Sequence, residues 1–113
     1  MITVSEDEHQ GRIVDLLNTL GFIVFHPRKA QVKDSWATAV KYQGVGFPDL
    51  VAVHPEKGIV LVIEVKAEAG RMSDDQAMWA AAWTQADEAN QNVWYIVAKP
   101  RDWELLQAWL LAL

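Results

Sequence analysis

The chain of 113 residues contains no cysteine. That removes disulfides, thiolate zinc sites and cysteine nucleophiles, and it agrees with a cytoplasmic setting. Histidine is scarce too: His9, His26 and His54 are scattered without the spacing of a histidine zinc site. No apolar stretch approaches the roughly 20 residues of a membrane span; the longest strongly apolar run is Ile59 to Ile63. The first residues lack a basic segment followed by an apolar one, so a cleaved secretion signal is not expected. Positive charge is in deficit. Ten Lys and Arg face fifteen Asp and Glu, for a net charge of −5, which argues against a sequence-independent DNA coat. With six Gly, four Pro, no repeats and no long linker, a single domain over residues 1–113 is expected.

What remains is a globular composition, 51% hydrophobic, with its charges unevenly placed. Residues 1–20 carry Glu6, Asp7, Glu8 and Asp15 against Arg12. Residues 26–46 carry Arg28, Lys29, Lys33 and Lys41 against Asp34, while residues 72–98 hold four acids and no Lys or Arg. The basic segment reads either as a solvated loop or as a surface for an anionic ligand.

Ser5 reads as a helix N-cap, followed by a stripe of Gln10, Ile13, Leu17 and Leu20 that Gly21 ends. Phe22 to Phe25 reads as a strand stopped by Pro27. Residues 28–46 have no clean period and read as a long loop or ragged hairpin. Asp49 to Val53 and Ile59 to Lys66 read as strands, joined by His54-Pro55-Glu56-Lys57-Gly58. The second is apolar on both faces until Glu64 and is expected at the sheet centre. Ser73 and Gln76 form a capping box for a helix running to about Asn90. Val93 to Ala98 is a further strand, and Asp102 is the expected cap of a last helix bearing Trp103, Leu106 and Leu110. The order helix, three strands, helix, strand, helix places the chain in the α/β or α+β class with a mixed sheet.

One geometric consequence carries chemistry. If the Pro55 turn makes an antiparallel hairpin with Val53 facing Ile59, Asp49 falls near Ile63, one position from Glu64. Glu64 and Lys66, two apart, project from the same face. Charges buried at the end of an apolar strand are costly unless paired or bound to metal. A Lys66 ion pair with either carboxylate at the sheet rim is the plain structural account. Two carboxylates beside one lysine nevertheless leave a negative surplus that a hard cation such as Mg²⁺ would offset, with the lysine orienting a nucleophile.

Gly46-Phe47-Pro48-Asp49-Leu50, followed by Ile63-Glu64-Val65-Lys66, resembles the PD-(D/E)xK nuclease motif. More narrowly it resembles the VRR-NUC family in its stand-alone phage and bacterial form. The likeness extends to Glu6 and Gln10, to Gly70-Arg71-Met72-Ser73 with Gln76, and to Pro100-Arg101-Asp102-Trp103. The resemblance implies a restriction-endonuclease-like α/β core (αβββαβ) with a mixed central sheet flanked by helices. It implies a DNA endonuclease using Mg²⁺ or Mn²⁺, selective for structures such as four-way junctions or flaps, and assembled as a homodimer or higher oligomer. Asp49, Glu64 and the Val65 carbonyl would be metal ligands, with Lys66 attending the attacking water. A helix-one glutamate would join them. Periodicity favours Glu6, in line with Gln10 and Ile13, over Glu8, in line with Arg12 and Asp15. Gln76 would face the site, although its place in the capping box competes with that task. The alternative is a catalytically silent module of the same fold that binds nucleic acid or a partner.

For DNA contacts, Arg28, Lys29, Lys33, Lys41 and Arg71 are the candidates, with Trp36 of the polar loop as the tryptophan expected to touch DNA. His26 reads either as a phosphate contact or as a satisfied structural histidine. Trp79, Trp83, Trp103 and Trp109 recur at helical spacing and read as core or subunit interface. The apolar end, Trp109 to Leu113, points to self-association.

Overall fold

The computed structural model describes residues 4–27, the main chain of 29–32 and 35–38, and residues 43–113. The elements are α1 (Glu6–Thr19), β1 (Ile23–Phe25), β2 (Lys29–Val32), β3 (Ser35–Thr38), β4 (Leu50–His54), β5 (Ile59–Val65), α2 (Asp74–Ala89), β6 (Val93–Ala98) and α3 (Trp103–Ala112). A short 3₁₀ turn, Pro100–Asp102, leads into α3. The expected α/β core is present, and the stretch left open between loop and hairpin contains an antiparallel hairpin, β2–β3.

The main sheet runs β1-β4-β5-β6, antiparallel except for the parallel pair β5–β6. Among the described residues β4 and β5 have neighbours on both sides, and β5 is buried along nearly its whole length, as its run of Ile, Val and Leu up to Glu64 predicts. Ile59, Leu61, Ile63 and Val65 face one way, into a core with Leu50 and Ala52 of β4, Ile13 and Leu17 of α1, and Leu106 and Leu110 of α3. Each Leu, Ile or Val side chain among them removed from water contributes about 1.5–3 kcal/mol. The opposite face carries Val60, Val62, Glu64 and Lys66. α2 packs along β6 with no fully buried residue. Trp79 and Trp83 are accordingly half-buried rather than core, seated edge-on against Phe47 with centroids 4.9 and 6.3 Å away. The Trp79 indole N–H donates to the Gln43 carbonyl at 2.8 Å.

The hairpin register differs from expectation by one residue: His54 pairs with Ile59 and Val53 with Val60. His54 belongs to the strand because its ring closes the turn, Nδ1 accepting from the N–H groups of Glu56 and Lys57. Gly58, at φ 67°, completes it. A one-residue shift changes which side chains share a face, and here it moves Asp49 from opposite Ile63 to opposite Glu64.

Asp102 does not cap α3 through its side chain; its carboxylate turns back to the Lys99 N–H at 3.0 Å. β6 lies at the sheet edge, and one of its outward N–H groups, that of Tyr95, donates to Asp87 of α2 at 2.8 Å.

His9 is fully buried between α1 and α3. Its Nδ1 accepts from the Arg12 Nε–H at 3.0 Å, and the Arg12 guanidinium lies 4.5 Å over the Trp103 ring. Arg12, half-buried, is thus a packing residue. Burial, and then Arg12, lower the His9 pKa against the opposing carbonyls of Lys99 and Ala98 and the charge of Asp102. The unfolded chain therefore takes up a proton near pH 6.5 that the folded chain refuses, so this contribution to stability is present above that pH and is lost as pH falls. We predict that the thermal midpoint of the wild type drops more than that of His9→Gln between pH 7.5 and 5.5, as read by circular dichroism.

Candidate active site

Two prolines end the two ladders of β4. Continuing the β4–β5 register past Leu50–Ile63 sets Asp49 opposite Glu64 and Pro48 opposite Val65. Proline has no N–H, so the Val65 carbonyl meets no main-chain donor from that position. Asp49 completes the other half of the missing pair: its Oδ2 accepts the Val65 N–H at 2.8 Å. On the opposite flank the β1–β4 register continues to Pro27 opposite Asp49. There the ring of His26 replaces the absent donor, its Nδ1 donating to the Asp49 carbonyl at 2.7 Å.

Asp49, Glu64 and Lys66 consequently share one face at the end of β5. Lys66 Nζ donates to Gln76 Oε1 at 2.8 Å and to the Arg71 carbonyl at 3.1 Å, and stands 3.7 Å from Glu64 Oε1. Gln76 Nε2 donates to that same Glu64 oxygen at 3.2 Å. Gln76 also holds its capping box with Ser73. The competition expected between the two tasks does not arise, because the amide oxygen accepts twice while the nitrogen is free to donate.

Gly46 sets the distance between this loop and α2. It lies at φ 84°, and a Cβ there would sit 2.5 Å from the main-chain carbon of Asp75. Only glycine allows the Phe47-Pro48-Asp49 segment to lie so close to the turn that carries Gln76.

Glu64 is 2% exposed. Burial first, then the charge of Asp49 and a hydrogen bond to it, push its carboxyl from 4.5 up to about 8, with Lys66 opposing and Glu6 adding slightly. Among the described residues no three His, Asp or Glu side chains gather at metal-ligand spacing. Glu6 therefore stands apart from the Asp49–Glu64 pair, its charge reaching Glu64, while Glu8 is turned to the N-cap, its Oε1 accepting from the Ser5 hydroxyl. The donor set fits a hard divalent cation: two carboxyl groups on facing positions of the β4–β5 ladder, and a main-chain carbonyl opposite a proline.

Tyr95, one strand over, was not foreseen. Burial, then Glu64 and Asp49, push its hydroxyl up to about 12; the parallel register that brings it beside Val62 has no signal in the sequence. Arg71 is exposed and lends its carbonyl to Lys66. Arg28, Lys33 and Lys41 lie outside the described residues, and Lys29 and Trp36 are described only as main chain of β2 and β3.

A mixed α/β sheet presenting two carboxylates and a lysine at the end of its central strand is the frame of the restriction-endonuclease-like class. The chain belongs to the VRR-NUC domain family, whose model matches residues 7–98, and it is accordingly a nuclease-type domain. No curated protein and no solved structure matches the chain.

Two predictions follow from the geometry. Glu64 retains in the folded state a proton that the unfolded chain loses above pH 4.5, so folding is progressively disfavoured from there up to about pH 8. Glu64→Gln, which keeps both the acceptor for Gln76 and a donor toward Asp49, should raise the metal-free thermal midpoint by roughly 5 °C at pH 8, with the difference shrinking toward pH 5. Gly46→Ala should cost about 2 kcal/mol or more, read as a lowered midpoint in urea.

Proposed function

We propose that the protein is a Mg²⁺- or Mn²⁺-dependent DNA endonuclease that hydrolyses phosphodiesters, selective for branched structures such as four-way junctions or flaps. The observation that carries this is the convergence of Asp49, Glu64 and Lys66 on one face, with Lys66 aligned by Gln76. Asp49 and Glu64 would hold the cation together with the Val65 carbonyl, and Glu6 would approach it from α1. When bound, such an ion lowers the pKa of a coordinated water and offsets charge on the phosphate.

The protein's own part is positional. Asp49 has one oxygen engaged by the Val65 N–H, and it accepts from the Glu64 carboxyl only while that proton is held, so a cation taking the proton's place would find carboxylate oxygen there. Lys66 has two of its three N–H donors engaged by Gln76 and Arg71; the third is free to orient the attacking water. Gln76 keeps that ammonium beside Glu64 rather than letting it fold onto the carboxylate as a closed ion pair. The basic segment with Arg28, Lys29, Lys33 and Lys41, together with Arg71, would meet the DNA backbone. Leu105 and Leu111, exposed on α3, support a homodimer, and a two-fold dimer suits a four-way junction.

The test is cleavage of labelled four-way junction, flap, linear duplex, single-stranded DNA and RNA, each with Mg²⁺, Mn²⁺ or EDTA. Metal-dependent cutting is expected, reduced about 10²-fold or more in Lys66→Ala and abolished in Asp49→Ala with binding largely kept. Cutting that persists in Asp49→Ala would overturn the site, and no cutting on any substrate would favour the binding module.

A further inference from the structure

His26 follows β1 and is exposed, yet neither ring nitrogen is free. Nδ1 lies 2.7 Å from the Asp49 carbonyl and Nε2 lies 3.2 Å from Gln10 Nε2. A carbonyl only accepts, which puts the ring proton on Nδ1 and makes Nε2 the acceptor of the Gln10 amide. A ring satisfied at both ends is not available to a phosphate, so the phosphate reading of His26 loses its basis. The same two bonds form a strut. Gln10 is one turn beyond Glu6 on α1, and Asp49 is held at its carbonyl by His26 and at its carboxylate by Val65.

We infer that His26, supported by Gln10, is a positioning residue for the proposed metal site. It fixes the Asp49 main chain where Pro27 leaves no ladder donor, and it ties to that point the helix that bears Glu6. The inference rests on the metal-site reading above. Groups that orient a ligand without touching the metal typically govern 10- to 100-fold in its affinity, and Asp49 is oriented here through one ring.

The experiment is Mn²⁺ binding by calorimetry on the full chain, with the metal-free thermal midpoint measured alongside. Asparagine places its side-chain nitrogen where Nδ1 lies and keeps the donor to Asp49; glutamine places it nearer Nε2 and does not. His26→Ala and His26→Gln should bind Mn²⁺ at least tenfold more weakly than wild type, and His26→Asn within about threefold of it. Gln10→Ala should show a smaller loss, and the metal-free midpoints should differ little because the ring is exposed. Wild-type affinity in His26→Ala, or an equal loss in His26→Asn, overturns the inference while leaving the metal site standing. If the wild type binds no Mn²⁺, or Asp49→Ala binds it equally well, the metal-site reading itself fails and the inference falls with it.

Discussion

Negative charge with nowhere to go is the constraint around which the molecule is arranged. Glu64 sits at the end of the most buried strand, and Asp49 is opposite it. In water two such groups would repel weakly; in a sheet lined with Val and Ile the repulsion is much less screened. The neighbouring elements answer it in different ways. β5 extends one residue to bring Lys66 to the same face, α2 begins where Gln76 can donate to the Glu64 oxygen, and Glu64 holds a proton at neutral pH. A cation would replace that proton, and the two-proline boundary of β4 leaves a carbonyl for it.

Much of this was legible before any coordinates. The capping of α1 and α2, the central place of β5 and the approach of Asp49 to Glu64 all follow from period, caps and turn residues. The register was missed by one because the ring of His54, rather than a glycine, shortens the loop, and side-chain closure of a turn has no pattern in sequence. Gln76 was misjudged for a related reason: counting one side chain as one task ignores the separate capacities of an amide's oxygen and nitrogen. The buried role of His9 was hidden because its partners, Arg12 and Trp103, are brought together only by the packing of α1 on α3. His26 and Tyr95 act through neighbours on other strands, a relation that becomes visible only once the strand order is known.

α2 also shows how little burial is needed to place a side chain, here Gln76, at the candidate site. It has no fully buried residue, yet its first turn meets the site loop at Gly46, and its next two turns meet Phe47 through Trp79 and Trp83. The capping box then fixes Gln76 locally. Position at this site comes from a few directed contacts along the first three turns rather than from a buried face.

The bond between Asp87 and the Tyr95 N–H has a bearing on the fate of the chain outside its native fold. Val93 to Ala98 is a six-residue apolar segment without charge or proline, of the kind that templates strand-to-strand growth when its edge is open. By occupying the middle outward N–H, an acid from the preceding helix breaks the row of donors that an incoming strand would need. A neighbouring molecule offered that edge meets a carboxylate in place of a ladder, so the helix that helps build the site also guards the sheet against amyloid-like stacking.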